Sequence, residues 1–160
     1  MNVDLSRQPE IVNGPTSTFV YLEAKGDFMK IAHPLWQQLH DVAHGKLEKD
    51  KMARMMGLSL MEAGAGVPGG TYQAGFEYRG EPTKALPLGM KVRHLDGGRY
   101  ARFLMRGPYA HLAVAYPLAM QRVAEAGLKM RHAFFMEAYL NTPEDTEESE
   151  LLTEIFIPIQ

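Results

Sequence analysis

The chain has 160 residues, 46% hydrophobic and 22% charged, with 17 Lys and Arg against 19 Asp and Glu, so its net charge is −2. A chain of this length buries about two-thirds of its extended surface, and its composition excludes intrinsic disorder. The absence of cysteine excludes disulfides, a thiolate nucleophile and Cys-ligated metal, and the near-neutral balance with no Lys/Arg run argues against direct binding to nucleic acid.

Residues 1–17 are polar and punctuated by Pro9, Gly14 and Pro15, which predicts a loosely held arm. No apolar leader is visible in it, and the longest apolar stretch, Leu112–Met120, is too short to span a bilayer. The expectation is a cytoplasmic protein with no membrane partner. Phe19–Gly26 reads as a strand. Phe28, Ile31, Leu35, Leu39 and Val42 recur at three- and four-residue spacing and predict an amphipathic helix over 28–43, with Pro34 in its first turn or kinking it. Lys46–Lys51 reads as a solvated connection, Met55–Ala63 as a strand, Gly64–Gly70 as a mobile loop beside a groove, and Tyr72–Tyr78 as a strand.

The second half repeats this order. Met90–Leu95 and Arg99–Arg106 read as strands around a turn at Asp96-Gly97-Gly98. A second helical stripe runs through Leu112, Tyr116, Met120 and Val123. Ala133–Leu140 and Leu151–Ile157 read as strands joined by the acidic loop Asn141–Asp145. An offset of 81 aligns Gly26, Phe28, Ile31 and Leu35 with Gly107, Tyr109, Leu112 and Tyr116. An offset of 75 aligns Met61-Glu62-Ala63 with Met136-Glu137-Ala138. The expectation is one domain over 1–160, built of pseudo-repeats at about 17–80 and 88–159.

Gly64-Ala-Gly66-Val-Pro-Gly69 matches GxGxxG literally, but Pro68 and the strand-like run after it deny the motif the helix N-terminus that a pyrophosphate needs. His33, His40 and His44 lie on one line of the first helix, opposite its apolar stripe, and read as a solvated face. No cofactor and no metal is expected. The informative residue is Glu137, set in the apolar run Phe134–Leu140. Alternation aims Phe135, Glu137 and Tyr139 at one face. A carboxylate there needs a reason. An arginine partner such as Arg102 or Arg106, an exposed sheet face, or a site for a cation among aromatic rings would each supply one.

Gly98–Tyr109 ending in Gly-Pro-Tyr, Phe135–Pro143 with its Glu and Tyr before Leu-Asn-Thr-Pro, and Thr153–Pro158 resemble, in that order, the GyrI-like (AraC-type) effector-binding domain. The resemblance implies an α+β fold of two pseudo-symmetric strand-helix-strand-strand modules. Their antiparallel sheets would form a groove, with two helices packed on the opposite side. It also implies a stand-alone binder of lipophilic, cationic or planar aromatic small molecules, for drug or toxin sensing or sequestration. Glu137 would meet the ligand's charge, with Tyr139, Phe135, Glu62, Phe76 and Tyr78 completing the lining and Ala138 turned to the helix side. The family also contains transcription regulators, but 17 residues before the first strand leave no room for a helix-turn-helix. Two other readings remain: a hydrolase of reactive natural products using Glu137 as acid and base, and an interaction module acting on a protein such as DNA gyrase.

Overall fold

The computed structural model describes residues 2–66 and 69–160. The fold is α+β, with nine strands, two α-helices and only antiparallel strand pairing among the described residues. The strands are β1 (Asp4–Leu5), β2 (Glu10–Asn13), β3 (Thr18–Asp27), β4 (Met52–Gly66), β5 (Gly69–Tyr78), β6 (Lys91–His94), β7 (Arg99–Arg106), β8 (Phe135–Tyr139) and β9 (Leu152–Pro158). The helices are α1 (Phe28–Ala43) and α2 (Leu112–Glu125). The chain divides into two compact units, Pro15–Asp96 and Met1–Gly14 together with Gly97–Gln160. No described helix is long and apolar enough to cross a membrane.

In the unit Pro15–Asp96 the strands lie in the order β4-β5-β3-β6. Asp27 caps α1 by accepting a hydrogen bond from the Met29 amide at 2.9 Å, which satisfies one of the donors that a helix start leaves open. Leu35, Leu39 and Ala43 are buried against Leu22, Tyr72 and Ala74, with Phe28, Ile31 and Val42 around them. His33, His40 and His44 are exposed, as their spacing requires. Pro34 is the seventh residue of α1 rather than a first-turn residue. Gly75 is needed because a Cβ there would lie 2.1 Å from the Val20 carbonyl oxygen.

In the other unit β7 pairs with β9 and β9 with β8, while β1 and β2 both pair with β7. The arm expected to be loose is therefore two edge strands. Its backbone completes the ladder of β7, and the Arg122 guanidinium donates to the Leu5 and Ser6 carbonyls at 2.9 and 2.8 Å. The expected stripe of α2 is rotated. Ala115, Ala119 and Val123 form the buried seam, while Leu112, Tyr116 and Met120 flank it. Small residues are what let this helix sit close on Phe103, Ile155 and Ile157, and apolar size alone misreads such a seam.

Two connections also differ from expectation. Glu48, in the stretch Lys46–Lys51, is buried and accepts from the Thr83 amide and hydroxyl. Strands β4 and β5 extend over Gly64–Gly66 and Gly69–Gly70, with Gly66 paired to Gly69. The rest of the Gly64–Gly70 loop, Val67 and Pro68, lies outside the described residues.

Leu39→Ala should cost about 2–5 kcal/mol by urea denaturation, because it opens the α1 seam. The double change His40→Gln, His44→Gln should cost less than about 0.5 kcal/mol. Ala119→Leu should cost about 1–3 kcal/mol, since added methylenes must push α2 off its strands.

Candidate functional site

Strand β8 is short, and each of its residues is buried except Tyr139, which is half-buried. In its ladder Glu137 stands opposite Ile155, which stands opposite Phe103 of β7. Phe103, Ile155 and Phe135 belong to the core beneath α2, so Glu137 faces that helix. Ala138 is turned the other way, contrary to the expectation that it faces the helix. The reason is register: Ile155 and Ile157 are the β9 residues under α2, and Glu137 pairs with Ile155.

Glu137 is 6% exposed. Tyr116 of α2 donates its hydroxyl to Glu137 Oε1 at 2.9 Å, and the Tyr139 hydroxyl donates to Oε2. The ring of Tyr109 meets Tyr139 edge-on at 5.1 Å, and Tyr116 lies 6.2 Å from Phe135. Tyr109 arrives there from a sharp turn at Gly107, whose φ of +127° is one that side chains rarely tolerate. The Tyr109 hydroxyl donates to the Asn141 carbonyl at 3.3 Å. The site is thus a carboxylate held by two phenols, walled by a third tyrosine and Phe135.

No described Lys, Arg or His pairs with Glu137. Arg102 engages Glu10 at 2.6 Å and Glu154 at 3.3 Å, and Arg106 engages Glu150 at 2.7 Å. The arginine partners that would have made Glu137 structural are occupied elsewhere. Arg102 is also on the face away from α2, since it alternates with Phe103. Burial pushes the Glu137 carboxyl above the usual carboxylate range, and the Tyr139 and Tyr116 hydrogen bonds offset part of that rise. Burial likewise raises the Tyr109 phenol, helped by the charges of Asp145 and Glu137.

The other expected lining residues belong to the unit Pro15–Asp96. Phe76 packs, half-buried, on the core under α1. Tyr78 is buried, with its hydroxyl accepting from the Glu48 amide at 3.2 Å. Glu62 is exposed and accepts from the Thr71 hydroxyl. Thr71 alternates with Tyr72, which bonds α1 through Trp36 Nε1 at 2.9 Å, so Glu62 points away from its helix. Glu62 and Glu137 share a tripeptide and follow a helix in each half, but they face opposite ways relative to those helices. The β4 residue on the rung of Ala74 and Leu22 is Gly57.

Sequence reasoning missed Tyr116 and Tyr109 as site residues. Tyr109 was visible in the Gly-Pro-Tyr run and Tyr116 in the helical stripe, but only the tertiary packing brings their hydroxyl and ring to Glu137.

Residues 7–160 match the sequence family described as the GyrI-like small molecule binding domain. The chain belongs to that family. No curated protein matches it by sequence. Among solved structures it is similar to SAV2435 bound to tetraphenylphosphonium, with a TM-score of 0.72 and 16% identity over 100% of this chain and 94% of that one. An integron cassette protein from Vibrio cholerae is similar at TM-score 0.70 and 14% identity, with both chains wholly covered. The C-terminal domain of EcmrR is similar at TM-score 0.69 and 15% identity, over 100% of this chain and 99% of that one. These likenesses establish the fold, and the family match makes this a GyrI-like small-molecule-binding domain.

The site predicts a pH-dependent cost to the fold. The folded chain holds the Glu137 proton to a higher pH than the unfolded chain does, so wild-type stability should fall as pH rises from the ordinary carboxyl range through the raised value. Glu137→Gln keeps the shape, with one phenol donating to the amide oxygen and the other turned to accept from the amide NH2. It should match wild type near pH 4 and exceed it by about 1 kcal/mol or more at pH 8, measured by chemical denaturation.

Proposed function

We propose that this chain binds lipophilic cations, sequestering or sensing them, and that Glu137 is the group that reads their charge. The observation that carries the reading is a buried carboxylate with two phenol donors and, among the described residues, no cationic side chain paired with it. Such a group is costly to the fold and is repaid only when positive charge arrives. The walls suit a lipophilic partner, because the faces of Tyr109, Tyr116, Tyr139 and Phe135 attract cations by about 0.5–2 kcal/mol. The tetraphenylphosphonium bound by SAV2435 is a ligand of this class.

The tyrosines and α2 close over the carboxylate, so admission of a ligand requires Tyr116 to release Oε1. Its neighbour Pro117 lies inside α2 and brings no backbone N–H to the helix. The helix is therefore weakened beside the residue that has to move. Phe76, Tyr78 and Glu62 have no role in this reading. A small-molecule role in the cytoplasm, without nucleic acid or membrane as a direct partner, is part of the proposal.

Calorimetry with tetraphenylphosphonium and with neutral triphenylphosphine oxide tests it. Glu137→Gln should weaken the cation by about tenfold or more and the neutral compound by less than about twofold. The cation's affinity should also fall as pH drops through the raised Glu137 value, because only the ionised carboxylate attracts it. Equal losses for both ligands, or none for either, would remove charge reading as the function. Release of a product from a bound ester or epoxide, abolished by Glu137→Gln, would replace binding by hydrolysis.

A further inference from the structure

Two buried side-chain atoms have no hydrogen-bond partner among the described residues, Thr153 Oγ1 and His111 Nδ1. The His111 ring lies against Gly107 and the residue is only half-buried. Thr153 differs, because the whole residue is 0% exposed. It lies opposite Tyr139 in the β8–β9 ladder and opposite Met105 of β7. By alternation with Ile155 and Ile157 it points to the α2 side, the face of Glu137. Glu137 is its diagonal neighbour, and Tyr139, which bonds Glu137, stands directly opposite it. Valine has the same shape and would leave no polar atom unpaired, so a threonine in an otherwise isoleucine-lined strand face is costly to the fold.

The balance of donors and acceptors says what would satisfy it. Tyr116 and Tyr139 have committed their protons to Glu137, and Tyr109 has committed its proton to the Asn141 carbonyl. Beyond the one proton that Thr153 itself can offer, what remains around the carboxylate is a surplus of acceptors: the further lone pairs of Glu137 and those of Thr153 Oγ1. A cation that carries an N–H supplies the missing donor. A quaternary ammonium or phosphonium supplies charge and no donor. Resting on the reading that Glu137 binds cations, we infer that Thr153 is a specificity-determining residue of the same pocket, which selects protonated amines over fixed quaternary cations.

The test uses a matched pair, imipramine, protonated at pH 8, and its N-methyl quaternary salt. Wild type should bind the protonated amine about tenfold more tightly, the discrimination expected of one hydrogen bond to a charged donor. Thr153→Val should bring the two affinities to within about twofold by weakening the amine alone, and its melting temperature should equal or exceed that of wild type. Thr153→Ser should keep the preference. If Thr153→Val fails to fold, Thr153→Ala serves in its place with the same expected loss. No preference in wild type, or a preference that survives removal of the hydroxyl, overturns the role of Thr153. Either result leaves charge reading intact as long as Glu137→Gln still weakens both cations. If Glu137→Gln weakens neither, the charge reading itself fails.

Discussion

A carboxylate taken out of water with no cation beside it loses solvation that two phenol hydrogen bonds only partly return, and most of the second unit is arranged around that deficit. Glu137 enters the core because its ladder partner Ile155 and the next rung, Phe103, are core residues under α2. Once there, it needs donors that bring no charge, and tyrosine is the side chain that supplies one at the end of a large apolar body. Tyr139 comes from the same strand and Tyr116 from the helix above. The turn at Gly107 delivers Tyr109 against Tyr139. Arg102 and Arg106 alternate to the other face of β7 and pair with Glu10, Glu154 and Glu150.

In each unit an aromatic hydrogen bond joins helix to sheet, and the difference between the two bonds separates their chemistry. In the first unit the Trp36 indole donates to the Tyr72 hydroxyl. In the second, Tyr116 donates to an ionisable acid. The seams under the helices differ in the same sense. Leu35 and Leu39 fill the space beneath α1, whereas Ala115 and Ala119 fill little of it beneath α2. Small side chains bring α2 close enough for its flanking tyrosine to reach the strand. They also leave less apolar area holding that helix down.

The sequence by itself determined the elements and the unusual residue. Strand and helix periodicities specify their own secondary structure, so α1 and β7 fall where the spacing put them. Alternation along Phe135, Glu137 and Tyr139 correctly places these three on one face. The family was legible in the order of three short runs, and residues 7–160 match it. A carboxylate inside an apolar run is conspicuous without any structure, because nothing local can satisfy it.

Tertiary structure alone decided which way that face looks and what meets it. Period-two alternation assigns residues to two faces but cannot say which one a helix covers, so Ala138 was expected on the side that Glu137 occupies. A shared tripeptide carries no information about register, so Glu62 seemed the counterpart of Glu137, although it turns away from α1 toward Thr71. The arm was misread because edge pairing is made by backbone groups, which Asp4, Glu10 and Asn13 supply as well as Leu5, Ile11 and Val12 do. Tyr116 and Thr153 were silent for the same reason. Each is ordinary in its own element, and becomes a donor or an unpaired acceptor only when a strand and a helix from distant sequence close around Glu137.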